Sequence, residues 1–279
     1  MVREEVLREV KKKYEKELLS YPNVVGVCVG RKVKRGKRLR EKAIQVLVRR
    51  KVPESELSPK EVVPKKIESC PTDVLEVGEI RAMDLDVRKA GARDLSRTEK
   101  FRPIVGGISC GNPYITAGTL GGFVMRGRKV YILSNYHVLA ENAEKGAPIL
   151  QPGRYDGGSL SDVVARLSEF VPIKMTGSPR VLSRVLKAVS KLLGSCSVTV
   201  EIRPENRVDA AIAEVQVDFT PEILDIGEVK GTAQVRPEAK VKKSGRTTGY
   251  TEGRVLSTDA TVRVSYDEGT ALFVDQIMT

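Results

Sequence analysis

The amino-acid sequence predicts a mainly β protein preceded by a small α+β domain, and three observations carry that reading. Short Val-rich runs bounded by Gly and Pro turns recur along most of the chain. Helical periodicity is confined to two stretches, one at the start and one opened by Ser178-Pro179. Residues 86–103 hold nine Lys, Arg, Asp or Glu without periodicity, which is the pattern of a linker. The expected organisation is a basic α+β N-terminal domain over 1–85, a linker over 86–103 and a β domain over 104–279.

At 279 residues the chain has material for one large or two ordinary domains. No apolar run approaches the length of a membrane helix, and the start, MVREEVLREVKKK, has no signal-peptide core. The expectation is a cytoplasmic protein without a transmembrane segment. A Lys- and Glu-rich, Cys-poor balance suits a thermophile. Cys28, Cys70, Cys110 and Cys196 lie far apart, none forms a Cys-x-x-Cys pair, and His137 is the only histidine. That inventory argues against zinc and for buried thiols, so no metal and no cofactor is assigned.

The net charge of +12 is unevenly spread, with +11 of it in residues 1–51. Charge confined to one segment describes a local surface and not a protein built throughout for polyanions.

Residues 2–19 are expected to form an amphipathic helix. Val2, Val6, Val10, Tyr14 and Leu18 recur along it, and Glu4–Arg8 and Glu9–Lys13 are i,i+4 pairs. Val24 to Val29 and Ala43 to Val48 then flank a basic turn around Lys34-Arg35-Gly36-Lys37, a hairpin with a cationic tip. Between Arg31 and Lys51 stand 11 Lys or Arg against a single Glu41, with no interleaved aromatics. Solvated surface or protein contact is the favoured reading there, and nucleic acid an unlikely partner. A short helix is expected near Ser58-Pro59, and a strand over Val74 to Ile80.

The second half opens at Arg102-Pro103-Ile104-Val105-Gly106-Gly107, read as an ordinary first strand. Phe123 to Met125 and Val130 to Ser134 form a hairpin around Arg126-Gly127-Arg128, and the second strand breaks into a helical turn at Asn135-Tyr136-His137. Val163 to Val171 reads as a strand, and 178–194 as a cationic amphipathic helix packed on the protein's own body. Strands are also expected after Val208-Asp209, over 241–255, over Ala260 to Val264 and over Thr270 to Ile277.

A lone histidine is more often structural than catalytic. Here, however, Gly118-x-x-Gly121-Gly122-Phe123-Val124, a hairpin, and Ile132-Leu133-Ser134-Asn135-Tyr136-His137-Val138-Leu139 resemble the catalytic-histidine region of trypsin-like serine proteases. The likeness is greatest to the HtrA-type branch. Val208-Asp209-Ala210-Ala211-Ile212-Ala213, an Asp directly before an apolar run, is similar to the element that carries the family's aspartate. Lys243-Ser244-Gly245-Arg246-Thr247-Thr248-Gly249, followed by Thr251, Gly253 and Val255, looks like the opening strand of the family's second barrel. The resemblance covers roughly 105–279. It implies a trypsin-like double β-barrel, His137 as general base, Asp209 as its orienter and a peptide or protein substrate.

One part of the pattern is missing. In the resembling proteases a strand like Leu272-Phe273-Val274-Asp275-Gln276-Ile277 leads into a Gly-Asp/Asn-Ser-Gly nucleophile loop, and the sequence ends at Thr279 with no Gly-x-Ser-Gly anywhere. The expectation is an incomplete second barrel and a chain inactive alone, its open edge suited to a strand-donating partner. Ser244 and Ser159 are poor stand-ins, since both fall in structural turn patterns. The competing readings are a non-catalytic binding or scaffold module on a protease fold, and a basic nucleic-acid-binding protein.

Overall fold

The computed structural model of the protein describes residues 2–59, 61–82, 97–176 and 204–279. In chain order, α1 is Glu4–Leu18, followed by β1 Val24–Lys34, β2 Lys37–Val48, β3 Lys66–Ile67 and β4 Cys70–Glu76. Then come β5 Ile104–Gly106, β6 Ser109–Cys110, β7 Gly118–Thr119, β8 Gly122–Arg126 and β9 Lys129–Ser134, which runs into the one-turn helix α2, Tyr136–Leu139. β10 Pro148–Leu150, β11 Val163–Phe170, β12 Met175–Thr176, β13 Glu205–Asn206 and β14 Ala211–Val215 follow. The last part holds β15 Phe219–Ile223, β16 Gly227–Glu228, β17 Lys240–Gly245, β18 Gly249–Arg254, β19 Ser257–Tyr266 and β20 Gly269–Met278. The protein is mainly β, as its turn-bounded apolar runs predict, and no described helix is long and apolar enough to cross a membrane.

The chain forms two compact units. The first comprises the described parts of 1–82, 174–207 and 257–278; the second comprises those of 83–173 and 208–256. In the first unit the strand order is β12-β20-β19-β1-β2-β4-β3, with β13 parallel to β20. Val24 to Gly30 and Ala43 to Val48 are buried at every position. Strands covered on both faces read as near-continuous apolar runs, and the one polar interruption here, Gln45, donates from Nε2 to the Arg31 carbonyl at 2.8 Å. Leu7, Val10 and Leu18 of α1 cover Val27, Val29, Ile44 and Val46 on one face, while Val25, Cys28, Leu47 and Ala260 cluster on the other.

The strands β19 and β20 correct the expected domain boundaries. Read from sequence as part of a second barrel within 104–279, they lie instead in the N-terminal sheet, where β19 pairs antiparallel with β1. The cause is local. A strand buried on both faces needs hydrogen-bond partners on both edges, because an unpaired buried N–H or C=O is costly. Gly26 lets the strands close up: a Cβ there would stand 2.9 Å from Val262 Cγ1 and 3.0 Å from the Thr261 carbonyl. The Val29 N–H donates to Asp259 Oδ1 at 3.1 Å. Buried Lys11 donates at 2.9 Å to both the Asp259 carbonyl and Thr261 Oγ1, and pairs with Glu15 at 2.8 Å. The helix is thus fastened to the returning strand.

Other expectations resolve more simply. Glu4–Arg8 forms at 2.8 Å, but Lys13 reaches across to Glu68 at 2.7 Å and does not take Glu9. Leu7, absent from the expected stripe, is fully buried, because a repeat of four drifts off the face of a 3.6-residue helix. Among the described residues near Ser58 no α-helix forms: Glu54–Glu56 is a 3-10 turn, and the Ser58 hydroxyl donates to Glu61. The strand expected over Val74 to Ile80 begins earlier, at Cys70, and ends at Glu76. The 178–194 helix, Cys196 and most of the linker lie outside the described residues.

In the second unit, β10-β11-β14-β9-β8 form one sheet and β16-β15-β5 another, with two-stranded pairs β17-β18 and β6-β7. Ile104, Ile108, Leu120, Ile132, Leu139, Ile149 and Val164 fill its core. Phe123 of β8 meets Phe219 of β15 at 4.9 Å between ring centroids, closing the two sheets over that core. Among the described residues no closed barrel forms. Ile104 is an interior strand residue whose N–H donates to the Asp218 carbonyl at 3.0 Å.

The Lys11 fastening has a measurable consequence. Lys11→Ala leaves the Glu15 carboxylate with only the Thr261 hydroxyl and removes two bonds to β19, and loss of one partner from a buried pair costs on the order of 3 kcal/mol. Denaturant unfolding reads that loss. Hydrogen exchange is expected to rise first in β19 and β20, and unchanged protection there would show that α1 does not hold the returning hairpin.

Candidate functional site

The site grows out of one strand pairing. β9 and β14 run antiparallel with Ser134 opposite Ala211, Leu133 opposite Ile212 and Ile132 opposite Ala213. Carried past the strand ends, that register sets Asp209 against Tyr136, at the point where β9 gives way to α2. Asn135 remains extended (φ −74°, ψ 154°), and its carbonyl accepts the Val138 and Leu139 N–H groups, so the turn starts immediately. His137 is thereby lifted off the strand over the carboxylate of the neighbouring one.

The contacts are short. His137 Nδ1 lies 2.6 Å from Asp209 Oδ2, while Asp209 Oδ1 accepts the Tyr136 N–H at 2.6 Å. Asn135 Nδ2 donates to the Asp209 carbonyl at 3.1 Å. The side chains are 22% and 14% exposed, so the pair is shielded but reachable. A carboxylate only accepts, which assigns the hydrogen to Nδ1 and makes Nε2 the basic nitrogen of the ring. This division of labour is what proton abstraction from a neighbouring hydroxyl requires.

Two glycines of the Gly-x-x-Gly-Gly stretch, Gly118 and Gly121, have packing roles here, while Gly122 faces open space. A Cβ on Gly118 would sit 2.3 Å from Val138 Cγ2, and one on Gly121 would sit 2.8 Å from the Leu133 carbonyl. The far end of α2 is tied by buried Asn112, whose N–H donates to the Val138 carbonyl and whose Nδ2 donates to the Glu141 carbonyl.

Two arginines that the sequence reading passed over hold the surrounding loops. Arg246 is 8% exposed and bidentate to Asp156, at 2.5 and 2.7 Å, and Ser109 Oγ donates to the same carboxylate. The Arg246 N–H donates to Thr119 Oγ1, and the Thr119 carbonyl accepts from Ser134 Oγ, which links the β17–β18 turn to the end of β9. Arg97 is 1% exposed; it pairs with Asp225 and donates to the Gly107 carbonyl at 3.2 Å. It also donates to Ser244 Oγ at 2.6 Å. Arg-Thr-Thr-Gly after a strand and Asp-Gly-Gly in a loop were the visible signals, but nothing in the sequence pairs them.

Ser244 is therefore engaged by a buried guanidinium. Ser159 caps the 3-10 turn Leu160–Asp162, donating to Asp162 at 2.9 Å and accepting from the Ser161 N–H. Among the described residues, no group of three His, Cys, Asp or Glu is arranged to hold a metal ion. Cys28, Cys70 and Cys110 are free and buried. Burial pushes the Cys28 and Cys110 thiols up to about 12, with the Asp259 charge adding to the effect at Cys28, so neither is a thiolate nucleophile near neutrality. No protein-family model matches the chain, and no curated protein matches it significantly.

Because His137 is the only imidazole, its nitrogen NMR spectrum is read without assignment. The Nδ1-protonated tautomer is expected, and in Asp209→Asn the ring is expected to lose that preference. A wild-type ring protonated on Nε2 alone would exclude the base–orienter geometry.

The capped turn beside Lys100 gives a pH dependence. Hydrogen bonds from Lys100 and from the Ser159 hydroxyl and N–H lower Asp162 to about 2. Its unfolded-state value is about 3.9. A depressed carboxylate stabilises the fold above the unfolded value and loses that contribution as pH falls through the folded one. Acid unfolding should therefore steepen between about pH 4 and pH 2. Asp162→Asn should flatten that window, and an identical acid profile in the variant would remove Asp162 from the account.

Proposed function

We propose that the second unit is the catalytic-pair half of a trypsin-like serine endopeptidase, its sheets corresponding to the first of two barrels. The observation that carries this reading is the 2.6 Å bond from His137 Nδ1 to Asp209 Oδ2, built on adjacent strands in the order His then Asp. In this reading Nε2 takes the proton from an attacking serine hydroxyl and returns it to the leaving amine, while Asp209 holds the ring and steadies its cationic form. The acyl-enzyme is then opened by water along the same proton path. The nucleophile is assigned to a segment outside these 279 residues, carrying Gly-Asp-Ser-Gly and the oxyanion-binding N–H groups.

One observation favours a second reading, a non-catalytic scaffold on a protease-like fold. β19 and β20, whose sequence suits strands of the second barrel, are hydrogen-bonded into the N-terminal sheet, and β17–β18 stands as a two-stranded pair.

A fluorophosphonate probe separates the two. The 279-residue chain alone is expected to remain unlabelled, since Ser244 and Ser159 are both committed to structural bonds. Chain extended or complemented with a Gly-Asp-Ser-Gly segment is expected to label, and His137→Ala to abolish labelling. Asp209→Asn should slow it by up to ~10⁴. Labelling of the chain alone that disappears in Ser244→Ala would make Ser244 the nucleophile. Complemented chain that never labels would leave the scaffold reading.

A further inference from the structure

Residues 31–42 hold eight Lys or Arg against one acid, Glu41, and contain no aromatic residue. They form the outer half of β1 and β2, closed by Arg35 and Gly36, both at positive φ (50° and 75°), the geometry of a tight I′ hairpin turn. β19 pairs with β1 only at Gly26 and Val27, and β4 pairs with β2 only over Ile44 to Val48. Among the described residues, then, the ribbon has no third strand on either edge. Its base is tied by Asp73, which accepts the Val33 N–H at 2.7 Å.

The ribbon sets like charges against each other. Arg31 stands opposite Lys42, and Lys34 opposite Lys37. Directly opposed like charges destabilise a hairpin. Lys42 is relieved by Glu4, whose carboxyl is lowered by Lys42 and then Arg8. Among the described residues no carboxylate pairs with Lys32, Lys34, Arg35, Lys37, Arg38 or Arg40. A projecting element with six cations that no described carboxylate compensates is suited to a polyanion.

We infer that this ribbon docks on double-stranded nucleic acid by gripping its phosphate backbone. Three other polyanionic surfaces fit less well. A lipid surface calls for apolar side chains to insert, and here only Val33 and Leu39 are apolar, both half-buried. Single strands are held by stacking on aromatics, which the ribbon lacks. Protein interfaces concentrate affinity in Trp, Tyr and Arg anchors desolvated in pockets, and the ribbon offers no aromatic and keeps Arg35, Arg38 and Arg40 solvent-exposed. A duplex requires only cations on a narrow element, and a two-stranded ribbon enters a major groove about 12 Å wide.

The test is fluorescence anisotropy of a short labelled DNA duplex titrated with the full chain at several salt concentrations. Six phosphate contacts predict a slope of log affinity against log salt of about −5, or roughly 10³ in affinity between 50 and 200 mM. A variant combining Lys34→Gln, Lys37→Gln, Arg38→Gln and Arg40→Gln should bind roughly 100-fold more weakly at low salt, with a slope near about −2. Its thermal midpoint should be unchanged or raised, because an opposed charge pair is gone. Phosphatidylserine vesicles and poly-glutamate serve as competing probes. Absent duplex binding, a wild-type slope shallower than about −2, or a folded variant binding as tightly as wild type would each overturn the inference. So would tighter binding to vesicles or poly-glutamate than to the duplex. Where that variant fails to fold, Lys37→Gln with Arg38→Gln alone should still make the slope shallower by about 2, and an unchanged slope would overturn the inference.

Discussion

The register between β9 and β14 is the constraint on which the candidate site depends. Asp209 reaches both His137 and the Tyr136 N–H only because Ser134 lies opposite Ala211. A slip of one residue would turn every side chain of a strand to the other face. Core packing forbids the slip: Ile132, Ala211 and Ala213 are almost fully buried, and β11 fixes β14 from its other edge. Alanines on β14 leave room for the larger residues of β9, so the two strands specify each other. The one-turn helix then converts strand register into ring position, and Gly118 allows Val138 to seat closely enough to hold that turn.

The loops around the site are held by charge and not by strand pairing. β17–β18 has no further strand beside it among the described residues, so its placement rests on Arg246 with Asp156, on Arg97 with Asp225 and Ser244, and on the Thr119 bridge. Buried guanidiniums are costly to desolvate, and here their donors are matched to carboxylates, a hydroxyl and a carbonyl. Arginine suits this role because its planar fork engages several acceptors in fixed directions. The same bonds occupy Ser244, the hydroxyl nearest in sequence pattern to a nucleophile.

The first unit obeys a different rule. β1 and β2 are covered on both faces, and β1 therefore takes a neighbour on each edge, β2 on one and the distant β19 on the other. Lys11, a charged residue on an otherwise amphipathic helix, is buried because its ammonium finds the Asp259 carbonyl, Thr261 and Glu15. Beyond the covered part, β1 and β2 continue into solvent, and the composition changes there from Val and Ile to Lys and Arg. A single hairpin thus serves as core at its base and as a cationic projection at its tip.

What the sequence determined by itself was local. Strand and turn positions along β1, β2, β8, β9, β11 and β14 follow from apolar runs and the glycines between them. The pairing of His137 with Asp209 was foreshadowed by two short motifs, each a strand end of recognisable form. Three things were decided only by tertiary structure. The partners of Arg97 and Arg246 lie up to 147 residues away, and no spacing rule links groups that meet through packing. The burial of Leu7 and Lys11 depends on what α1 covers. The allegiance of β19 and β20 was open in sequence, because an apolar strand satisfies any edge whose shape and hydrogen bonds accept it. Gly26, with room for no side chain, made the edge of β1 the one that did.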